Sequence, residues 1–233
     1  MPSVDDGVAY RDDHHNSHQK ARDLFGSTTK QEDNALFPYP ELDDNKHEIR
    51  LMRLLPSDHR IAGRVATFNL TSPPRYTALS YRCGTENVDR SIELNDCEYR
   101  VRPELYDYLQ VMRREKNRGW FFIDAICINQ WNDAEKSSQV MLMGEIYRQA
   151  RRVTAWLGDP LKYAHPAYIA TLRAAPTGLT DPDALADAEL AETLVDIVDK
   201  CVSRSEYWGR LWIVQETILA RTLFVRCGPF TIG

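Results

Sequence analysis

Residues 119–128 (GWFFIDAICI) constrain the fold more than any other segment of the chain. The run is almost wholly apolar up to Asp124, and such a run is typical of a central parallel strand that is covered on both faces. Residues 153–157 (VTAWL) have the same character and are stopped by Gly158. Because neighbouring parallel strands need crossover helices between them, these two segments favour an α/β fold.

The surrounding segments supply the remaining elements. Residues 48–55 and 75–82 alternate as half-buried strands do, and residues 91–102 are typical of a hairpin that turns at Asn95 and Asp96. The pattern further predicts helices and a last strand at residues 103–117, 132–151, 183–201, 207–220 and 223–227. This order predicts a mainly parallel sheet flanked by helices, with an added β-hairpin and a helical insertion.

The chain is expected to consist of a tail and one domain. Residues 1–45 are poor in apolar side chains, so they are interpreted as a disordered or extended N-terminal tail, part of which, residues 36–40, can pack back as a strap. Residues 46–233 are predicted to form the domain. A chain of 233 residues is long enough for one substantial α/β core.

Charge and cysteine content limit the classes of binding partner and indicate the cellular compartment. The formal net charge is -5, which argues against binding to nucleic acid. No stretch approaches the roughly 20 apolar residues of a membrane span. The five cysteines are odd in number and none forms a CxxC pair, which favours free thiols in a reducing compartment, and we expect the protein to be cytoplasmic.

Several enzyme classes are disfavoured by missing motifs. The chain has no GxGxxG, no GxxxxGK, no HExxH and no GxSxG. Outside the tail the histidines are His47, His59 and His165, and none stands beside a plausible nucleophile in sequence. We therefore expect no metal site and no bound cofactor, although a triad assembled in space stays open.

Four segments, in this order, resemble the pattern of the fungal heterokaryon incompatibility (HET) family. Residues 76–84 (YTALSYRCG) are similar to its YxALSYxWG, and residues 122–130 (FIDAICINQ) to its IDAICINQ. The third segment runs from Glu135 to residues 156–158 (WLG). The fourth, residues 210–216 (RLWIVQE), is similar to the family's RxWxxQE. Cys83 departs from the pattern, because the family usually has Trp there.

The resemblance implies a cell-death domain of fungal non-self recognition. HET domains distantly resemble Toll/interleukin-1 receptor (TIR) domains, and residues 78–81 (ALSY) are similar to the first-strand FISY of that family. Trp212 and Glu216 match the TIR WxxxE motif, whose Glu is catalytic in members that hydrolyse NAD+. The resemblance thus implies NAD+ hydrolysis with Glu216 as the catalytic residue, an oligomer on activation, and an NLR-type or other incompatibility partner.

The chemistry of NAD+ cleavage fits one carboxylate without a histidine. Trp212 and Glu216 lie four apart on a predicted helix, so they share one face. A carboxylate can stabilise the cation that develops on the ribose, while nicotinamide leaves neutral and needs no strong acid. The alternative is that Glu216 is a surface helix residue paired with Arg210 or Arg221.

The remaining candidate residues follow the strands expected to end at one sheet edge. Ligands gather at the carboxyl ends of parallel strands, so Asp124, Asn129 and Gln130 are candidates for binding the ribose or an amide; the alternative for each is a bond to local backbone. At the end of the predicted strand 75–82 the candidates for binding NAD+ are Ser80, Tyr81, Arg82 and Gly84. Trp212 on the last predicted helix is a further candidate. Arg82 suits a pyrophosphate or lies in solvent.

Two other functions stay open at this point. The domain is alternatively a non-enzymatic adaptor that self-associates and recruits death-signalling partners. The replacement of the family Trp by Cys83 also leaves open a regulatory decoy. Cys127 is interpreted as a buried, inert thiol rather than a nucleophile.

Overall fold

A computed structural model describes residues 34–84, 90–159, 199, 202–203, 205–210 and 213–232. Within these residues the strands are β1 (Glu48–Leu54), β2 (Ala62–Asn69), β3 (Tyr76–Tyr81), β4 (Arg90–Leu94), β5 (Cys97–Val101), β6 (Trp120–Phe122), β7 (Arg152–Trp156), β8 (Leu223–Cys227) and β9 (Phe230–Ile232). The α-helices are α1 (Pro103–Arg114), α2 (Asp124–Cys127), α3 (Asp133–Gln149) and α4 (Ile213–Ile218). A 3-10 helix, Glu206–Gly209, precedes α4.

The nine described strands form one mixed sheet in the order β5-β4-β2-β1-β6-β3-β7-β8-β9. Its centre, β6-β3-β7-β8, is parallel throughout. On either side β1 pairs antiparallel with β2 and β6, and β8 pairs antiparallel with β9. The α/β class is therefore confirmed, whereas the sheet is mixed rather than mainly parallel.

Part of the mixed character comes from β2 and β9, two strands that the sequence pattern did not predict, and part from the antiparallel pairing of β1 with β6. In β2 the alternation is interrupted by Gly63, which lies in the core. A Cβ there would stand 2.8 Å from Met52 Cε and 2.9 Å from Leu94 Cδ2, so only glycine lets the neighbouring strands approach. A glycine in this position removes the apolar signal by which a strand is recognised in sequence.

Within residues 119–128 a buried strand was predicted to end at Asp124, but β6 ends two residues earlier, at Phe122. The chain turns into the short helix α2, whose first residue, Asp124, accepts a hydrogen bond from Ala125 N at 2.7 Å. Ile126 and Cys127 remain fully buried within the helix. An apolar run alone does not distinguish a buried strand from a buried helical turn, which explains the error.

The sheet is covered on both faces by helices. Neighbouring residues of a strand point to opposite faces, and on β6 Phe121 packs against Tyr108 of α1 while Phe122 packs against Tyr147 of α3. In the sheet β6 lies on one side of β3 and β7 on the other. Along the chain β6 comes before β7, so the direction in which strands are added reverses at β3. Because open α/β sheets bind ligands at such a reversal, a ligand site is expected at the carboxyl ends of β3 and its neighbours.

Several local predictions are confirmed. The hairpin turns at Asn95 and Asp96, whose φ angles of 49° and 64° are typical of a type I′ turn. Helix α1 starts at Pro103 and buries the predicted apolar face of Leu105, Leu109 and Met112. Helix α3 is capped by Asn132, whose side chain accepts from Glu135 N.

The C-terminal predictions fare differently. The single helix predicted for residues 207–220 is wrong, because the 3-10 helix and α4 are separate elements. The predicted last strand is confirmed as β8. The irregular segment 160–182 and nearly all of the predicted helix 183–201 lie outside the described residues, as do residues 1–33 of the predicted tail. In the parts that are described, no helix has the length and apolar character to span a bilayer.

The segment 34–43 packs along the domain through specific contacts. Asn34 exchanges two hydrogen bonds of 2.7 Å with the backbone of Arg100. Phe37 is buried edge-on against Tyr39 and Tyr99. The segment therefore packs against β5 of the hairpin.

A buried ion pair joins this segment to the centre of the fold. Arg50 on β1 is 1% exposed and donates to both carboxylate oxygens of Glu135 on α3, at 2.6 and 2.9 Å. Its Nε donates to Pro40 O at 2.8 Å, and one Nη donates to Cys127 O at 3.2 Å. The guanidinium therefore has a partner for each of its nitrogens, as a buried charge requires.

We expect Glu135→Gln to lower the free energy of unfolding by about 3–5 kcal/mol, because it leaves a buried guanidinium without a counter-charge. The matched control is Glu145→Gln on the same helix, where the partner Arg148 is half exposed and the loss is expected to be about 0–1 kcal/mol. Urea unfolding of both variants measures the difference. Equal losses would mean that Arg50 is solvated or paired in another way.

Candidate functional site

The carboxyl end of β3 brings the candidate residues to two faces of the sheet. Ser80 and Tyr81 are its last two residues, so their side chains point in opposite directions. Ser80 points to the face of α3 and α4, where it contacts Tyr207 and Glu216. Tyr81 points to the face of α1 and lines a cavity there with Leu105.

The first group is a buried chain of hydrogen bonds. Ser80 donates to Glu216 Oε2, and the hydroxyl of Tyr207 lies 2.7 Å from Ser80 Oγ. Because Ser80 has one proton and donates it to the carboxylate, Tyr207 is the donor in the other bond. Glu216 is only 4% exposed, so its interpretation as a surface helix residue is wrong. The carboxylate faces the sheet edge instead of solvent.

Arg210 connects the two faces. It follows the 3-10 helix, and one Nη donates to Tyr81 O at the end of β3. Its other Nη lies 3.8 Å from Glu216 Oε1, and its charge is also felt by Asp124 and Cys83. Burial lowers the pKa of Arg210, but the carboxyls of Glu216 and Asp124 raise it by more. Arg210 is therefore the shared counter-charge of both carboxyl groups.

Both carboxyl groups hold protons more tightly than ordinary acids. Burial raises the pKa of Glu216, while Arg210 and the hydrogen bond from Ser80 oppose the rise. Burial likewise raises the pKa of Asp124, opposed by Arg210 and by the bond from Ala125 N. Raised carboxyl pKa values are frequent at sites of proton transfer, and they place these groups nearer to neutral pH.

The second group surrounds a cavity of about 40 Å³ on the α1 face. Tyr81, Asp124 and Gln130 line it, and all three were predicted to bind ligand. Cys83 and Arg102 complete this part of the wall. Burial raises the pKa of the Cys83 thiol to about 11, and the charge of Asp124 adds to the rise. The thiol is therefore neutral at physiological pH.

The other predicted binding residues have local roles in the structure. Asn129 accepts from Trp131 N, and Gln130 donates to Asp124 O, so both stabilise the loop between α2 and α3. Gly84 has φ 68°, and a Cβ there would stand 2.6 Å from Glu104 Oε2. Arg82 is exposed, and Trp212 lies outside the described residues. Their roles toward a ligand remain predictions.

Sequence reasoning missed two members of the site. Tyr207 has no motif of its own, and its contact with Ser80 spans 127 positions. Arg102 donates to Gly84 O at 2.6 Å, which fixes the loop after β3. Arg210 was named only as a surface partner of Glu216, although its place at the start of the segment 210–216 was a signal. Cys127 is fully buried as predicted, and burial raises the pKa of its thiol to about 12.

Comparison with known proteins gives two findings. The family model described as heterokaryon incompatibility protein (HET) matches residues 76–216, which run from the first residue of β3 to Glu216. "Heterokaryon incompatibility protein 6, OR allele" from Neurospora crassa is 34% identical over 141 residues, covering 53% of this chain. The chain spans about a fifth of that relative, 21% of its length. No solved structure matches this chain.

The raised pKa of Glu216 predicts a pH-dependent stability. A carboxyl that binds its proton more tightly in the folded state contributes stability that is full below its ordinary pKa of 4.5 and is lost as the pH rises through the folded value. We therefore expect the Tm of Glu216→Gln, relative to wild type, to increase as the pH rises from 4.5 toward neutrality.

Glu145→Gln is the control with the opposite sign. Hydrogen bonds from Gln149 and Arg148 lower the pKa of Glu145, so its contribution is present above 4.5 and is lost as the pH falls. Thermal unfolding between pH 4 and 8 measures both series. Parallel curves for wild type and Glu216→Gln would contradict the burial of an ionisable Glu216.

Cys83→Trp tests how the cavity wall accommodates the residue that the family pattern has here. An indole is much larger than the cavity of about 40 Å³, so we expect overpacking to cost about 1–3 kcal/mol. Cys83→Ala should change stability less, and urea unfolding measures both. If the stability of Cys83→Trp is unchanged, the loop after β3 has moved to accommodate the indole. In that case a gain of activity in this variant would support the decoy hypothesis, and no gain would remove its support.

Proposed function

Because the chain belongs to the heterokaryon incompatibility family, we propose that it is a cell-death domain of fungal non-self recognition and that it acts by hydrolysing NAD+. The Neurospora relative carries heterokaryon incompatibility in its name, which supports the biological role. The hydrolytic activity is our proposal from the site and from the resemblance to TIR domains. The matched segment includes every described residue of the site except Asn34 of the cavity wall.

One observation carries the enzymatic part of the proposal. The carboxyl group of Glu216 lies at the carboxyl end of the central parallel strand β3, hydrogen-bonded to Ser80 and 3.8 Å from Arg210. A second carboxyl, Asp124, stands at the end of the neighbouring strand and shares Arg210. Carboxyl groups at this edge, in a crevice between strands, have the placement that α/β enzymes use.

Hydrolysis of NAD+ requires the protein to position the substrate and to stabilise the charge that develops on it. The bond between ribose C1′ and the nicotinamide nitrogen breaks, and its electron pair leaves with neutral nicotinamide. The positive charge that develops on the ribose is stabilised by a nearby carboxylate in its ionised form. Water then adds to C1′ and releases a proton, giving ADP-ribose.

The strand order supports the relationship to TIR domains. The parallel strands β6-β3-β7-β8 follow the order 2-1-3-4 of flavodoxin-like sheets when they are counted along the chain.

The cavity of about 40 Å³ is far smaller than the several hundred Å³ of a usual ligand pocket. We therefore propose that a neighbouring subunit completes the nucleotide site, as in TIR-like enzymes, and that activity requires assembled protein.

A non-enzymatic adaptor is the second candidate, and an exposed apolar surface favours it. Met141 on α3 and Val214 and Ile218 on α4 are 86%, 56% and 74% exposed. The two helices touch where Gln215 and Leu219 approach Gly144. Val214 and Ile218 are one helical turn apart and share a face. Such side chains suit self-association rather than solvent.

We expect wild-type protein at high concentration to consume NAD+ and release nicotinamide, and Glu216→Gln to be slower by about 100-fold or more, because the amide removes the charge that stabilises the ribosyl cation. Glu145→Gln on α3 is the matched control and should act as wild type. Chromatography of NAD+, ADP-ribose and nicotinamide measures turnover, and light scattering reports assembly.

The outcomes separate the two candidates. Equal turnover by wild type and Glu216→Gln would remove Glu216 from the reaction. No turnover by protein that scattering shows to be assembled would rule out the enzyme in favour of the adaptor. In that case Glu216→Gln should retain cell killing, whereas Val214→Asp combined with Ile218→Asp should abolish both assembly and killing.

A further inference from the structure

The cavity and Glu216 lie on different faces of the sheet. Tyr81 and Asp124 line the cavity on the α1 face, whereas Ser80 and Glu216 are outside its wall. Glu216 approaches the edge from the face of α3 and α4, with its oxygens directed to Ser80 and Arg210. Of the two carboxyl groups that share Arg210, only Asp124 reaches the cavity.

The size of the cavity suits water. A volume of about 40 Å³ admits at most about three water molecules and no nucleotide base. Asp124, Gln130 and Arg102, which carry polar side chains, are among the residues that line it, and a buried water needs two to four polar partners. Arg102 is tethered to the carbonyls of Cys83 and Gly84, so the wall on that side is fixed by the backbone.

We propose that Asp124 is a second catalytic residue, which binds the attacking water in this cavity and accepts its proton. This inference rests on the proposed hydrolysis of NAD+ and assigns separate roles to the two carboxyl groups. Glu216 stabilises the ribosyl cation as the nicotinamide bond breaks. Asp124 then governs the second half of the reaction, in which the cation is captured.

The step is balanced in atoms and charge. The oxygen of the water forms the bond to C1′ that nicotinamide has vacated, and one proton of the water passes to the Asp124 carboxylate. Asp124 then releases this proton to solvent, so the products are ADP-ribose, nicotinamide and H+. Burial raises the pKa of Asp124 and Arg210 limits the rise, which brings the group toward the range where a general base is most effective.

The arrangement predicts that hydrolysis and bond breaking can be separated. If the cation forms but water is not activated, nicotinamide can return to C1′ and regenerate NAD+. Exchange of labelled nicotinamide into NAD+ reports the first half of the reaction alone. Net formation of ADP-ribose reports both halves. A residue that acts only on water should affect the second measurement and spare the first.

The test compares Asp124→Asn with Glu216→Gln in the full chain. Asparagine keeps an oxygen that can accept from Ala125 N, so the start of α2 is preserved. We expect Asp124→Asn to lower ADP-ribose formation by about 10²–10⁴-fold, with little change in nicotinamide exchange. Glu216→Gln is expected to lose both. Asp133→Asn is the matched control, because Asp133 also opens a helix, α3, but lies away from the cavity.

Each result decides one proposal. Equal loss of exchange and hydrolysis in Asp124→Asn, or hydrolysis at the wild-type rate, overturns the role of Asp124 and leaves NAD+ hydrolysis standing. Absence of both activities in wild type overturns both proposals. The pH dependence is an independent readout. Protonation of Glu216 lowers exchange and hydrolysis alike, so in the wild type the ratio of hydrolysis to exchange should fall at low pH only as Asp124 is protonated. A ratio that does not change with pH in the wild type, or that still falls in Asp124→Asn, overturns the inference.

Discussion

The buried ion pair between Arg50 and Glu135 positions the elements on which the site depends. Its guanidinium bonds to Pro40, to the last residue of α2 and to Glu135 near the start of α3. Glu135 also accepts from Asn129 N at 2.7 Å, which holds the loop that carries Gln130. Because a buried charge without its partner is expensive, these segments are fixed together, and Asp124 at the start of α2 is fixed with them.

At the sheet edge the two carboxyl groups around a second arginine have the opposite effect on stability. Arg210 balances the buried carboxyl of Glu216 and the half-buried carboxyl of Asp124. The pKa values of both remain raised, so at neutral pH their ionisation works against folding. Loss of either partner of the Arg50–Glu135 pair destabilises the fold, whereas ionisation of the carboxyl groups around Arg210 opposes folding. Groups with shifted pKa values are concentrated at functional sites, which agrees with the position of the cluster at the topological reversal of the sheet.

The parts of the fold that were predictable have signals within one element. The hairpin has its turn residues, α1 its proline and its apolar face, and α3 its capping Asn132. Strand β2 was missed because Gly63 replaces an apolar side chain where strands pack closely. The strand within residues 119–128 was predicted to end at Asp124 instead of Phe122, and α2 was missed, because buried apolar residues look alike in a strand and in a helical turn.

The sequence by itself determined the family, the α/β class and the candidate residues of the site, because motifs and periodicity are carried by neighbours along the chain. Only the tertiary structure decided which of those residues act together. Ser80 lies with Glu216 and Tyr207 on one face of the sheet. Tyr81 lies with Asp124 on the other face. Arg210 interacts with both carboxyl groups, Glu216 and Asp124. The contacts of Ser80 with Tyr207 and Glu216 join residues more than 100 positions apart, and strand order and the alternation of side chains, not local sequence, bring them together.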